Sequence, residues 1–121
     1  MSKKNNNILK KGMLTVNGSL WLEMNGQKFF GPGPVELLQY IEETGSIRQA
    51  AVKMQMSYKK AWEIVNNLNA VMKHPIVITA TGGEKGGGSS VSEDAKQLII
   101  AYRQLRERFN NFLEKESGRI S

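Results

Sequence analysis

The sequence contains no cysteine, a single histidine and no long hydrophobic run. Without cysteine there is no disulfide framework, no thiol nucleophile and no cysteine-ligated metal. No apolar stretch approaches the ~20 residues that a membrane-spanning helix needs, so we expect no membrane partner. The polar residues 1–7 do not fit a secretory signal, and we therefore expect a cytoplasmic protein.

Residues that could carry out catalysis are also scarce. His74 precedes Pro75 and has no partner spacing typical of a catalytic triad. The glycine-rich segment 82–88 does not match a nucleotide-binding P-loop, because Gly87-Gly88 rather than Gly-Lys precedes Ser89. The carboxylates lie scattered on amphipathic segments, where a solvated role is the default. We therefore predict no enzymatic activity, no catalytic residues, no cofactor and no metal site.

The net charge of +6 is distributed unevenly along the chain. Residues 1–11 carry four lysines and no acid, and we expect them to form a disordered basic tail, with a DNA-contacting arm as the alternative. Residues 46–89 carry six basic residues against Glu63 and Glu84, whereas residues 12–45 are net negative. This concentration of positive charge favours an acidic partner such as nucleic acid.

Turn and cap signals divide the chain into short elements. Asn17-Gly18 and Asn25-Gly26 each separate runs of strand-forming residues, which predicts a small antiparallel sheet over residues 13–30. Pro34 can open a first helix, and Gly45 ends it with a residue that tolerates the left-handed conformation.

Two further helices follow, each with its own cap. Ser46 caps the second helix, and Gln49 completes a capping box. Ser57 caps the third helix, predicted over residues 57–72. The apolar positions at helical spacing are Ile47, Ala50, Ala51 and Met54 in the second helix and Ala61, Ile64 or Val65, Leu68 and Met72 in the third.

A helix-turn-helix followed by a hairpin is typical of a winged-helix protein that binds duplex DNA. Ile76–Thr81 and Ser89–Val91 predict the two strands of the wing, with the glycines between them at its tip. The third helix fits a recognition helix, which enters the major groove with its first residues on bases and phosphates. The predicted DNA-binding residues are Ser46, Arg48, Ser57, Tyr58, Lys59, Lys60, Glu63, Asn67, Lys85, Gly86, Gly87, Gly88 and Ser89.

The individual signals in this set are open to other interpretations. Lys59 and Lys60 alone would fit a solvated helix face, and it is their position beside a capped helix start that favours phosphate contacts. Tyr58 offers a hydroxyl to the DNA backbone and is equally compatible with packing. Trp62 is interpreted as a core or interface residue rather than a DNA contact.

The last helix begins after Ser92 and is predicted to reach about Glu116, a length of ~36 Å. Its apolar positions repeat at spacings of 4, 3, 4 and 3 and form a heptad seam of Leu98, Tyr102, Leu105, Phe109 and Phe112. A small domain covers only part of such a helix, so we predict that the seam forms a dimer interface. The alternative is that it folds back onto the Trp21 sheet of its own chain.

These motifs together resemble a known family. The segments TGSI (44–47), AA (50–51), MSYKKAW (56–62), LN (68–69) and TGGEKGGG (81–88) resemble the N-terminal DNA-binding domain of ModE-type molybdate-dependent transcriptional regulators. That domain is a winged helix related to the LysR type. The resemblance implies a homodimer whose recognition helix carries Ser57, Tyr58, Lys59 and Lys60, with Lys85 and Gly86–Gly88 in the wing.

The sequence also departs from that family pattern. Molybdate-sensing members carry a C-terminal oxyanion-binding region that residues 1–121 do not include, so we do not expect this chain alone to bind molybdate. Family members often have an arginine where Pro34 stands, which removes one candidate phosphate contact. Glu84 intervenes between the glycine pair and the wing lysine, which predicts weaker binding by the wing.

The sequence therefore predicts a mainly helical α+β fold, a winged helix-turn-helix with an N-terminal β-hairpin. Its expected parts are a basic tail (1–11), a winged domain (12–92) and a C-terminal dimerisation helix (93–121). The predicted function is a transcriptional regulator that binds double-stranded DNA as a homodimer. The alternative is a winged-helix module that pairs with a separate effector-binding protein.

Overall fold

The computed structural model of the chain describes residues 8–80 and 88–121. Two antiparallel strand pairs frame three helices, and a long helix follows the second pair. The fold is α+β and mainly helical, as predicted, with the arrangement of a winged helix-turn-helix. The elements are β1 (Leu22–Met24), β2 (Gln27–Phe30), α1 (Pro32–Thr44), α2 (Ile47–Lys53), α3 (Tyr58–Val71), β3 (Val77–Ala80), β4 (Gly88–Val91) and α4 (Glu93–Ile120).

The first hairpin is shorter than the sequence predicts. Strands β1 and β2 meet at Asn25-Gly26, whose φ angles of 52° and 81° match the positive values that a type I′ turn requires. The predicted hairpin at Asn17-Gly18 is wrong, because β1 begins only at Leu22 and the Asn17 side chain accepts a hydrogen bond from the Gly18 N–H. The sheet expected over residues 13–30 is thus confined to residues 22–30.

Residues 12–20, which we call the N-terminal strap, run antiparallel along α4 instead of forming strands. Near the end of α4 the Val16 N–H donates to Ser117 Oγ at 2.7 Å. Farther back along the helix, Tyr102 Oη donates to the Leu20 carbonyl at 2.9 Å. These bonds join residues 101 and 82 positions apart, which no local pattern in the sequence encodes.

The first helix begins and ends at residues suited to those positions. It starts at Pro32, two residues earlier than predicted, where a proline sacrifices no intrahelical N–H bond. Gly45 ends it with φ 69°, as predicted. Ser46 caps α2, and its side chain accepts a hydrogen bond from the Gln49 N–H. In a capping box the Gln49 side chain would accept from the Ser46 N–H, but that N–H donates to Thr44 Oγ1 instead.

A tight turn at Gln55 joins α2 to α3. The Gln55 N–H donates to the Val52 carbonyl and the Met56 N–H donates to the Ala51 carbonyl, which is the hydrogen-bond pattern of a Schellman motif. That motif needs a left-handed residue, and Gln55 supplies it with φ 56°. Ser57 then caps α3 by accepting from the Lys60 N–H. The turn therefore sets the direction of α3 relative to α2.

The core lies where α1, α2 and α3 meet the two hairpins. The sequence left Ile64 and Val65 as alternatives for one core position of α3, and Val65 is the fully buried one. Met54 and Met72 are only partly buried against the core. The Phe30 ring packs edge-on against Tyr102 of α4, with ring centroids 5.5 Å apart. The largest fully buried side chains are Phe30, Leu37, Leu38, Ile41, Leu68, Ile76 and Val65.

Helix α4 follows β4 after the single residue Ser92, whose side chain caps it as predicted. Glu93 and Asp94 lie in its first turn, where the helix dipole favours negative charge. His74 contacts Asp94 there, with Nδ1 and Oδ2 3.1 Å apart. Helix α4 has 28 residues and is ~42 Å long, compared with the ~36 Å predicted from the sequence. None of the helices within residues 8–80 and 88–121 combines the length and the hydropathy of a membrane-spanning segment.

Candidate nucleic-acid interface

One face of α3 is polar and exposed, as a recognition helix requires. Lys59, Lys60, Glu63 and Asn67 are exposed on it, while Ala61, Val65 and Leu68 on the opposite face are buried. Lys60 Nζ lies 3.9 Å from Glu63 Oε1, and both side chains are more than half exposed. An exposed pair at that distance is weak, so Lys60 remains available to a phosphate.

The N-terminus of α3 offers backbone donors beside these lysines. Ser57 Oγ accepts from the Lys60 N–H, which leaves the N–H groups of Tyr58 and Lys59 outside the intrahelical ladder. The hydroxyl of Ser57 still has its own proton to donate. A helix N-terminus carries partial positive charge, so this end of α3 suits a phosphate.

The base of the wing is fastened to the helix-turn-helix. The Ser89 N–H donates to the Gly45 carbonyl at 2.9 Å, joining β4 to the turn between α1 and α2. The Val91 N–H also donates to Glu42 Oε1 of α1 at 3.3 Å. Lys85, Gly86 and Gly87 of the predicted wing lie outside the described residues, whereas Gly88 and Ser89 lie in β4.

A cleft of about 370 Å³ separates the start of α2, the start of α3 and the wing. It brings together five of the predicted DNA-binding residues from three segments of the chain, while Ser57, Lys59, Lys60, Glu63 and Asn67 lie outside its lining. The lining consists of Gly45, Ser46, Ile47, Arg48, Tyr58, Trp62, Thr79, Ala80, Gly88 and Ser89.

Three side chains form a connected series along this cleft. The Arg48 guanidinium carbon lies 4.1 Å from the Tyr58 ring centroid, within the range of a cation–π interaction. The Tyr58 ring is nearly perpendicular to that of Trp62, with the centroids 6.3 Å apart. Trp62 both packs against the core and lines the cleft. Trp62, Thr79 and Ala80 were not among the predicted DNA-binding residues; the signal for Trp62 was its position one helical turn after Tyr58.

Comparison with known proteins shows which proteins the chain is similar to. No family model matches the chain. It is 36% identical over 88 residues to the DNA-binding transcriptional dual regulator ModE of Escherichia coli K12, covering 73% of this chain and 34% of that protein. The chain is homologous to the ModE regulators. The chain spans about a third of the length of the ModE relatives that it matches.

Two further relatives and one solved structure are also similar to the chain. The molybdenum transport protein ModE of Azotobacter vinelandii is 32% identical over 87 residues, covering 72% of this chain and 32% of that protein. The molybdenum-pterin-binding protein MopB of Rhodobacter capsulatus is 41% identical over 81 residues, covering 67% and 30%. A solved structure of a Lactococcus lactis ZitR mutant superposes with a TM-score of 0.51 at 12% identity, covering 98% of this chain and 73% of ZitR. That likeness supports the winged-helix fold alone.

One departure from the ModE pattern has a structural counterpart. Pro34, where the resemblance leads us to expect arginine, is buried in the first turn of α1. It carries no charge and no free N–H, so it contributes no phosphate contact in this chain. Glu84, the other departure, lies outside the described residues.

The heptad seam of α4 is divided by the N-terminal strap. Tyr102 is only 5% exposed and Leu98 packs against the core of its own chain. The Phe109 ring lies against Gly18 of the strap, since a Cβ at Gly18 would approach it to 3.2 Å. Leu105 is half-buried and Phe112 is 55% exposed. The seam therefore contributes Leu98, Tyr102 and Phe109 to its own fold and leaves mainly Phe112 to solvent.

Proposed function

We propose that this chain is the DNA-binding part of a transcriptional regulator, and that it grips duplex DNA with α3 and the wing. The observation that carries the proposal is the cleft, which joins Arg48 and Tyr58 to the base of the wing. Beside it lies the exposed face of α3 with Lys59 and Lys60. The homologous E. coli protein is a DNA-binding transcriptional regulator, which supports the same class of partner here.

In this proposal α3 enters the major groove with its N-terminus first. One phosphate accepts hydrogen bonds from the N–H groups of Tyr58 and Lys59 and from the Ser57 hydroxyl. Lys59 and Lys60 neutralise the adjacent phosphates of the DNA backbone. Asn67 lies farther along the same exposed face and can pair with adenine, while Glu63 can accept from cytosine. The wing, including Lys85, Gly86 and Gly87, rests on the flanking backbone.

We further propose that the protein acts as a homodimer through the distal part of α4. The strap covers one side of this helix, so the contact between two copies falls on the side that exposes Phe112 and leaves Leu105 half-buried. Two recognition helices related by a twofold axis would read half-sites one helical turn, or a multiple of it, apart. The same proposal expects no thermal stabilisation of residues 1–121 by molybdate.

A salt-dependent DNA titration tests the main proposal. The double variant Lys59→Ala/Lys60→Ala should bind about 10–100-fold more weakly, since two solvent-exposed contacts at a net ~0.5–1.5 kcal/mol each amount to ~1–3 kcal/mol. The slope of log affinity against log salt should fall by ~1.8, the value for two phosphate contacts. The control, Arg103→Ala/Lys115→Ala, removes two exposed charges from α4 and should leave the slope unchanged. An unchanged slope in the α3 variant would refute the docking of α3 onto DNA.

A second function is favoured by the exposed apolar residues of α4. Ile100 is 54% and Phe112 is 55% exposed, on different sides of the helix. A winged-helix module that pairs with a separate effector-binding protein would use such a surface. Two results together would favour this alternative: weak DNA binding that does not depend on the base sequence, and a Phe112→Asp variant that no longer binds a purified partner protein.

A further inference from the structure

We propose that Tyr58 is a positioning residue for Arg48, and that its ring rather than its hydroxyl serves DNA binding. This inference rests on the proposed function and assigns roles within it. Arg48 supplies the charge that meets a phosphate at the mouth of the cleft. Tyr58 holds the guanidinium there, and Trp62 holds Tyr58.

The first argument is the placement of Arg48. It is exposed on α2, yet its guanidinium carbon lies 4.1 Å from the Tyr58 ring centroid on α3. An exposed arginine side chain ordinarily samples many rotamers, and a cation–π contact selects one of them. A guanidinium placed over a ring keeps the N–H donors at its edge free to bind phosphate in a fork.

The second argument is that the Tyr58 ring is itself held. Trp62 lies one helical turn further along α3, and its ring is at 87° to that of Tyr58. Perpendicular aromatic pairs at such distances are attractive. Because Trp62 also packs against the core, the series Trp62–Tyr58–Arg48 extends from the fold to the surface.

The third argument is the direction in which the series points. Arg48 and Tyr58 line the cleft opposite Thr79 and Ser89 of the wing strands. The Gly45–Ser89 backbone bond joins two of the segments that line that cleft. In the proposed docking, a DNA strand that contacts both α3 and the wing passes the Arg48 guanidinium.

The arrangement differs from that of the other cations near α3. Lys60 lies beside Glu63, an exposed ion pair that holds a side chain only weakly. Lys53 on the same helix as Arg48 is instead 5.7 Å from the Tyr40 ring, away from the cleft lining. Among residues 8–80 and 88–121, Arg48 is thus the basic residue that an aromatic contact directs into the cleft.

A double-mutant cycle on Arg48 and Tyr58 tests the inference. The probe is a duplex that the wild-type protein selects from a randomised pool, titrated at several salt concentrations. Arg48→Ala and Tyr58→Leu should each weaken binding roughly 10-fold and lower the salt slope by ~0.9, because each removes the same phosphate contact. The double variant should fall no more than about 2-fold below either single variant, since coupled residues are not additive.

Conservative variants separate the ring from the hydroxyl. Tyr58→Phe keeps the ring and should bind within about 2-fold of wild type, with the same salt slope. In the free protein, ring-current shifts of the Arg48 side-chain protons should persist in Tyr58→Phe and vanish in Tyr58→Leu. The control Arg103→Ala removes an exposed α4 arginine and should change neither readout. Circular dichroism checks that each variant is folded.

Several results would overturn the inference. Losses that multiply to roughly 100-fold in the double variant would show that Arg48 and Tyr58 act independently. Equal losses in Tyr58→Phe and Tyr58→Leu would assign the role to the hydroxyl. Either result leaves the proposed function standing if the wild type binds the duplex. If the wild-type protein binds no duplex while the ring-current shifts are present, the proposed function fails and the phosphate role of Arg48 fails with it.

Discussion

Removing the Tyr102 hydroxyl tests whether the middle of α4 belongs to the core of its own chain. The hydroxyl donates to the Leu20 carbonyl at 2.9 Å, and the ring packs edge-on against Phe30. Tyr102→Phe removes only the hydrogen bond, and we expect the free energy of unfolding to fall by ~1 kcal/mol. Tyr102→Leu also removes the ring pair and leaves a void, so we expect a loss of ~2–3 kcal/mol.

The assay is thermal and urea unfolding followed by circular dichroism at one fixed protein concentration, because self-association shifts apparent stability. A loss of ~1 kcal/mol corresponds to a fall in Tm of ~3–6 °C for a domain of this size. The control is Tyr40→Phe, which removes the same atom from a tyrosine whose hydroxyl has no hydrogen-bond partner within residues 8–80 and 88–121.

One result would refute the reasoning outright. If Tyr102→Phe and Tyr102→Leu kept wild-type stability but shifted sedimentation toward monomer, Tyr102 would belong to an interface between copies. The interpretation drawn from the heptad spacing would then describe Tyr102 better than the intramolecular contacts do.

Three further predictions follow from single residues. Phe112→Asp should shift sedimentation velocity toward monomer and change the unfolding free energy by less than ~0.5 kcal/mol, since Phe112 is exposed; a wild type that is already monomeric at high concentration would contradict it. Gln55→Val should lower the unfolding free energy by ~1–2 kcal/mol relative to Gln55→Gly, because only glycine adopts φ 56° without strain; equal urea midpoints would count against the strained turn. Glu63→Gln should strengthen binding to a random duplex about 3–10-fold by removing a carboxylate beside Lys60, with Glu107→Gln on α4 as the matched control; equal gains in both would show only a net-charge effect.

Local chemistry made much of the fold predictable. The caps at Ser46, Ser57 and Ser92 and the left-handed end at Gly45 occur where the sequence indicates. In each case one residue satisfies a backbone group three or four positions away, so the signal and its consequence are close together in the chain.

Long-range contacts explain most of what the sequence did not show. Asn17-Gly18 has the composition of a hairpin turn, yet the strap that contains it satisfies part of its backbone on α4 instead. The heptad spacing correctly indicates one apolar side of α4, but spacing alone does not say whether a second copy or the strap covers it. Gln55 occupies a left-handed position that composition assigns to glycine or asparagine, because the surrounding turn imposes it.

Five of the ten residues that line the cleft were predicted individually, but the cleft itself was not. Ser46, Arg48, Tyr58 and Ser89 were each predicted to contact DNA, from caps, charge and position. Their convergence depends on the backbone bond between Gly45 and Ser89, which joins residues 44 positions apart. The aromatic contact between Arg48 and Tyr58 depends in turn on the geometry of the Gln55 turn.

The junction between the wing and α4 has a mechanical consequence. Only Ser92 separates β4 from a continuous helix of 28 residues, so no flexible linker can absorb a change of angle there. Because the two elements turn together, a molecule that moves the distal end of α4 by about 7 Å turns the wing by about 10°. Conversely, a small rotation of the wing moves the distal end of α4 by several ångströms. The helix is in this sense a lever, and its short arm is the wing.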